Sequence, residues 1–126
     1  MKQQPLVSIL INNYNKQNYC KQALKSAINQ NYKNLEVIFY DDNSNDNSLK
    51  NIIELKNKSK SKIKIIKNNS RGKIYSFNQM NGIIKSVDKS RGQIICLMDS
   101  DDFFKKNKVK EVVNFFSNNP KQEILF

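Results

Sequence analysis

The stretch GQIICLMDSDDFFKK, Gly92–Lys106, decides how the chain is read. Within it, Gln93–Met98 (QIICLM) has the length and composition of a buried strand, and it runs straight into Asp99, Asp101 and Asp102. Beyond it, KKNKVKEVVNFFSNNP places Val109, Val112, Val113 and Phe116 on one face of a helix that stops before Pro120. The chain has 11 acids against 22 Lys plus Arg, a formal net charge of +11, yet three acids crowd into four positions here. Two carboxylates about 4 Å apart repel by roughly 4 kcal/mol at an effective dielectric near 20. Such a cluster calls for a proton or a cation to neutralise it. A helix N-cap would explain one aspartate, and three exceed what a cap requires. Hard divalent cations such as Mg²⁺ and Mn²⁺ favour carboxylate oxygen and keep open positions for substrate phosphates.

The same strand-into-helix unit recurs on the N-terminal side. LVSILI (Leu6–Ile11) predicts a buried strand, and KQNYCKQALKSAINQ (Lys16–Gln30) a helix with Tyr19, Ala23, Ala27 and Gln30 at helical spacing. LEVIFY (Leu35–Tyr40) predicts a second strand that ends in Asp41 and Asp42. The helix after it has Asp46 or Ser48 as N-cap and Leu49, Ile52, Ile53 and Leu55 as its apolar face. KIKIIK (Lys62–Lys67) alternates like a strand near the sheet edge. In the helix that follows, Ile74, Phe77, Met80, Ile83, Ile84 and Val87 form the expected inward face. EILF (Glu123–Phe126) has the pattern of a fifth strand beginning. Four alternations of strand and helix predict an α/β fold, an open, mainly parallel sheet with helices on both faces. In such sheets ligands gather at the carboxyl ends of the strands. Those ends carry NNYN (Asn12–Asn15), DDNSND (Asp41–Asp46), NNSRGK (Asn68–Lys73) and DSDD. By itself DDNSND is equally a turn with a helix cap, and its neighbour DSDD on the same edge favours a ligand.

Composition excludes several chemistries. With no His, the usual zinc sites, Ser-His and Cys-His catalysis and a histidine base are absent. Cys20 and Cys96 lack CxxC spacing, Cys96 fits a core position inside its apolar run, and a reducing cytosol suits both. Only Arg71 and Arg91 among the cations are arginines, and the lysine-rich Lys56–Lys64 has no aromatic residue. A nucleic-acid partner is not expected, whereas peripheral contact with an acidic lipid surface at the inner face of a membrane remains open. Neither a G-x-G-x-x-G nor a G-x-x-x-x-G-K-[ST] loop is present to cradle phosphates through its backbone. The acids lie after the second and fourth strands. A receiver domain needs its acid pair after the first strand, as does the D-x-D of a haloacid-dehalogenase phosphatase.

These elements together resemble family 2 glycosyltransferases of the Rossmann-like GT-A fold. The resemblance rests on PLVSILINNYN, ALKSAINQNYKNLEVIFYDDNSNDNS and GQIICLMDSDDFF, in that order and spacing, and it covers residues 5–126. The family pattern is P-x-Y-N, S-x-x-x-Q-x-Y, a Glu leading a strand, D-D-x-S-x-D and a strand ending D-x-D-D. The corresponding residues are Asn12–Asn15, Ser26–Tyr32, Glu36, Asp41–Asp46 and Asp99–Asp102. The chain departs from the pattern in having Asn12 for the proline and a longer Gly72–Gly82 segment. The resemblance implies a nucleotide-diphosphate sugar, UDP-linked above all, as donor and a glycan or lipid-linked acceptor. It implies that Asn12 and Tyr14 line the base, Asp42 hydrogen-bonds it, Asp99 contacts the ribose and Asp101 holds a divalent metal, Mn²⁺ or Mg²⁺. Arg71, with Lys73 as a further candidate, stands where basic residues approach the nucleotide, and Asp102 is left to cap the next helix. It also implies that residues 1–126 are a single donor-binding domain, a fragment of a longer enzyme whose acceptor half supplies the catalytic base. A non-catalytic nucleotide-binding fragment, or a module acting through its basic surface, is the alternative.

Overall fold

Near-continuous buried runs rich in β-branched and apolar residues build the centre of the sheet. In the computed structural model, which describes residues 4–125, β1 (Val7–Asn13) pairs in parallel with β2 (Leu35–Asp41) on one side. β2 pairs with β3 (Ile63–Lys67), and β1 pairs on its other side with β4 (Ile94–Asp99). The order β3-β2-β1-β4 makes β3 an edge strand, as its alternation predicts, and reverses the winding between β1 and β4. Such a reversal opens a crevice at the carboxyl ends of the strands on either side of it. Register brings Asn12 level with Tyr40 and Asp99, so the ends of β1, β2 and β4 form one row beside that crevice.

Two faces of the sheet are packed differently. Val7, Ile9, Ile11, Val37, Phe39, Cys96 and Met98 point to one face. There they meet α1 (Cys20–Ile28), α2 (Ser48–Lys58) and α4 (Lys108–Asn118) through Ala23, Leu24, Ile52, Val109 and Val112. Each fully buried Ile, Leu or Val here contributes about 1.5–3 kcal/mol of transfer free energy. Both cysteines are free and buried in this layer.

Leu10, Ile38 and Tyr40 are buried on the opposite face, where α3 (Tyr75–Lys89) lies. This helix is turned over relative to its sequence pattern. Asn78, Gly82 and Ser86 are its buried residues, while Ile74, Phe77, Met80, Ile84 and Val87 are exposed. The cause is close approach. Gly82 has no side chain, and a Cβ there would lie 2.7 Å from the Tyr40 ring and 2.9 Å from Asn12 Oδ1. Large apolar residues cannot fill so narrow a gap, and small polar ones can.

Other boundaries shift for local reasons. Residues 16–19 form a turn before α1, with the Tyr19 and Cys20 amides donating to the Lys16 carbonyl, and Tyr19 is exposed. Ile53 is exposed as well, leaving Ile52 as the buried residue of α2's apolar face. Helix α2 follows Asn47, with Asp46 accepting from the Ser48 amide. Residues 123–125 form no strand and are exposed, while Phe126 lies outside the described residues.

A buried polar anchor fastens the strand starts at the opposite edge from the crevice. Glu36 accepts hydrogen bonds from Ser8 Oγ (2.7 Å) and the Arg91 amide (2.7 Å), with Lys64 Nζ 3.7 Å away. Ser8 Oγ in turn accepts from the Gly92 amide. Burial alone would raise the Glu36 pKa, but the Arg91 amide, Ser8 and Lys64 together hold it below the usual carboxylate range. The Glu that leads β2 is thus a structural tie between β1, β2 and the entry to β4.

Candidate active site

A cleft of about 350 Å³ opens at the switch point between β1 and β4. Asn12, Tyr14, Asp42, Arg71, Asp99 and Asp101 all line it, although the chain separates them by up to 89 positions. Lys73 is exposed and does not line the cleft.

The DDNSND loop divides its acids by task. Asp41 is fully buried and accepts from Asn13 Nδ2 (2.9 Å), Ser44 Oγ (2.7 Å) and the Ser44 amide (3.1 Å). Those bonds shape the turn, in which Asn43 takes a left-handed φ of 57°. Asp46 accepts from the Ser48 and Gln17 amides. Burial works against its charge, yet these hydrogen bonds hold its pKa below the usual range. Asp42 alone turns to the cleft. It accepts from Asn68 Nδ2 and Arg71 Nε, both at 2.8 Å.

The NNYN loop is clamped from behind by the same turn. Asn15, at φ 51°, receives the Asn45 amide on Oδ1 and donates its own amide to Ser44 Oγ. Tyr14 is thereby fixed with its ring under the Arg71 guanidinium, 3.5 Å from the ring centroid. Arg71 thus bridges Tyr14 and Asp42. Its loop is held to α3 by Asn78, whose amide makes a reciprocal pair with the Gly72 backbone, both bonds 2.9 Å. Asn78 and Gly82 therefore position the site despite the lengthened segment.

Asp99, Asp101 and Asp102 follow β4, and their carboxylates each offer an oxygen within 4.8 Å of the others. All three are exposed. Asp99 Oδ1 accepts from Gln79 Nε2 at 3.1 Å, and Asp101 Oδ2 lies 3.3 Å from Lys16 Nζ. Asp102 does not cap a helix: its amide closes a turn onto the Asp99 carbonyl, and α4 begins later, after Asn107. The donor set is all carboxylate oxygen, which suits Mg²⁺ or Mn²⁺ and not a thiolate- or imidazole-preferring ion.

The Ser26 and Gln30 of S-x-x-x-Q-x-Y bind the segment after this loop, while the Tyr32 hydroxyl donates to the Pro5 carbonyl. Ser26 Oγ accepts from the Phe104 amide, and Gln30 bonds the Lys105 carbonyl and the Val109 amide. Helix α1 thus grips the segment that leaves DSDD. Lys16, Tyr40, Tyr75 and Gln79 also line the cleft and had no motif to announce them. Tyr40 is 1% exposed with an unpartnered hydroxyl, and the Asn12 Oδ1 beside it is also unpartnered. Burial, then Asp42 and Asp41, push the Tyr40 phenol up.

A parallel sheet with this winding, and polar groups at one end of it, defines the α/β class that binds ligands at a switch point. The chain belongs to Glycosyl transferase family 2, whose sequence pattern matches residues 8–125. It is 33% identical over 110 residues to the UDP-Glc:alpha-D-GlcNAc-diphosphoundecaprenol beta-1,3-glucosyltransferase WfaP of Escherichia coli, covering 87% of this chain and 41% of that protein. The fold matches S. aureus TarS 1-349 in complex with UDP-GlcNAc, with a TM-score of 0.74 and 24% identity over 90% of this chain and 31% of that one. It also matches the mannosyltransferase PcManGT of Pyrobaculum calidifontis in complex with GDP-Man and Mn2+, with a TM-score of 0.81 and 16% identity over 91% and 33%. These two likenesses establish the GT-A fold. The chain spans 32%, 35% and 44% of the length of three curated relatives it matches. Among the described residues no helix is long and apolar enough to cross a membrane.

Proposed function

We propose that the chain is the donor-binding half of a glycosyltransferase, taking a sugar from a UDP-sugar with a divalent cation, Mn²⁺ or Mg²⁺. The observation that carries this is the one cleft lined by the Tyr14–Arg71 stack, by Asp42 and by two of the clustered carboxylates, Asp99 and Asp101. The stack offers a π surface to a base, and Asp42 offers an acceptor to its N–H groups. Asp99, level with Asn12 across the strands and itself the first of the clustered acids, would contact the ribose. Asp101, with Asp99 and Asp102 beside it, would hold the metal. When bound, that ion neutralises charge on the leaving diphosphate as a Lewis acid.

The acceptor reading is a glycan or lipid-linked sugar, supported by the diphosphoundecaprenol acceptor in the name of the E. coli relative. Peripheral contact with the inner face of a membrane would accompany such an acceptor. Deprotonating the acceptor hydroxyl needs a base. Glu111 and Glu123 are exposed and neither lines the cleft, so the base is assigned to an acceptor half outside these residues.

Titrating UDP into the chain with Mn²⁺ present tests the assignment. Saturable binding is expected, and Tyr14→Ala should weaken it about tenfold, the loss of one base–aromatic stack. Absence of UDP binding by the wild-type chain would overturn the reading.

A further inference from the structure

Among the ion pairs of the described residues, one reaches the acidic cluster, and its cation is Lys16. Both partners are nearly half exposed (43% and 44%), so the pair adds little to folding. Its placement suits another purpose. The Lys16 amide donates to Ser48 Oγ at 3.1 Å, and its carbonyl takes the Tyr19 and Cys20 amides. The backbone is therefore pinned while the side chain stands in the cleft. Arg71, the other cation lining the cleft, is committed to Asp42 and to the Tyr14 ring. Within this cleft Lys16 is the cation on the side of the carboxylates, held through its ammonium by one exposed acid, while Lys105 and Lys108 line a neighbouring pocket with Asp101 and Asp102. An ammonium with three donors on a flexible stem suits phosphate oxygens.

We propose that Lys16 binds the diphosphate of the donor, and that in the ligand-free protein it serves as the counter-ion of Asp101. This rests on the reading of the cleft as a nucleotide-diphosphate and metal site. Asp101 then exchanges one positive partner for another as the site fills, and Lys16 is freed toward an anion. Before the anion arrives, the ammonium competes with a divalent cation for the same carboxylate. After it arrives, the ammonium adds to the attraction. Removing the charge must therefore move two affinities in opposite directions, an outcome that a merely structural lysine would not produce.

The probes are Mn²⁺ alone, followed by the paramagnetic resonance signal of the free ion, and UDP under saturating Mn²⁺, followed by calorimetry. Lys16→Met keeps the stem and deletes the charge. It should tighten Mn²⁺ about threefold, by removal of a neighbouring positive charge. It should weaken UDP about tenfold, by loss of a charge-assisted hydrogen bond. Lys16→Arg should restore most of the UDP affinity. If the wild-type chain binds UDP with Mn²⁺ and Lys16→Met leaves that affinity unchanged, or weakens both ligands together, the role of Lys16 is refuted and the site assignment stands. A wild-type chain that binds neither ligand overturns both.

Discussion

Glu36→Ala is expected to lower the stability of the chain by about 3 kcal/mol, the scale of a buried charge network broken on one side. The carboxylate is 5% exposed and gathers the Ser8 hydroxyl, the Arg91 amide and the Lys64 ammonium. Its loss leaves Ser8, itself fully buried, and the Arg91 amide without their acceptor. Urea unfolding measures the effect, and a loss under about 1 kcal/mol would mean that the network is not a stabilising unit. Glu36→Gln keeps the shape and one acceptor, so it should lose less.

The same residue sets a pH dependence. Its folded pKa is depressed, so its contribution is complete above the unfolded carboxyl value, near 4.3, and disappears as pH falls through the folded value. Asp46 is depressed likewise and adds to the loss in acid. The stability gap between wild type and Glu36→Gln should therefore be constant from about pH 6 to 8 and close below about pH 4. A gap that widens in acid would contradict the sign.

Gly82→Val is expected to cost about 3 kcal/mol and to weaken nucleotide binding with it. Alanine at an ordinary helical position would gain up to about 1 kcal/mol over glycine. Here the added Cβ lands 2.7 Å from the ring of Tyr40, which is 1% exposed and cannot retreat. Helix α3 must lift, and it carries Asn78, which holds the Arg71 loop, and Gln79, which holds Asp99. Ile84→Ser, two positions along on the solvent side of α3, should change stability by under about 0.5 kcal/mol. Comparable losses at the two positions would refute the orientation of the helix.

That orientation is where the sequence misleads. Periodicity tells which residues of α3 share a face, and it groups Phe77, Met80, Ile84 and Val87 correctly. Which face meets the sheet depends on how closely the backbones approach, and that is set by Gly82 against Tyr40 across more than forty residues. The four strands are legible because each carries its own apolar run and its own polar ending, although β4, expected as a buried strand, lies at a sheet edge with Ile95 and Leu97 exposed. That the six candidate residues line one cleft is legible for a related reason: a parallel sheet brings the ends of its strands together whatever the distance along the chain. Lys16 and Gln79 belong to no such ending. Their contacts with Asp101 and Asp99 exist only after β1 and β4 pair. Asp41 and Asp42 are indistinguishable as letters, and the end of β2 at Asp41 separates them, one tied into the turn and one lining the cleft.

The central claim is that the carboxylates after β4 and the Tyr14–Arg71 stack form one site joined through a metal-bound diphosphate. Calorimetric titration of UDP into wild type and Asp101→Ala, each with Mn²⁺ and with chelator, tests it most directly. The account predicts that Mn²⁺ strengthens UDP binding by wild type about tenfold or more, and that Asp101→Ala abolishes this gain while keeping the weak metal-free affinity. Equal UDP affinity with and without Mn²⁺ in wild type, or an undiminished Mn²⁺ effect in Asp101→Ala, would contradict it.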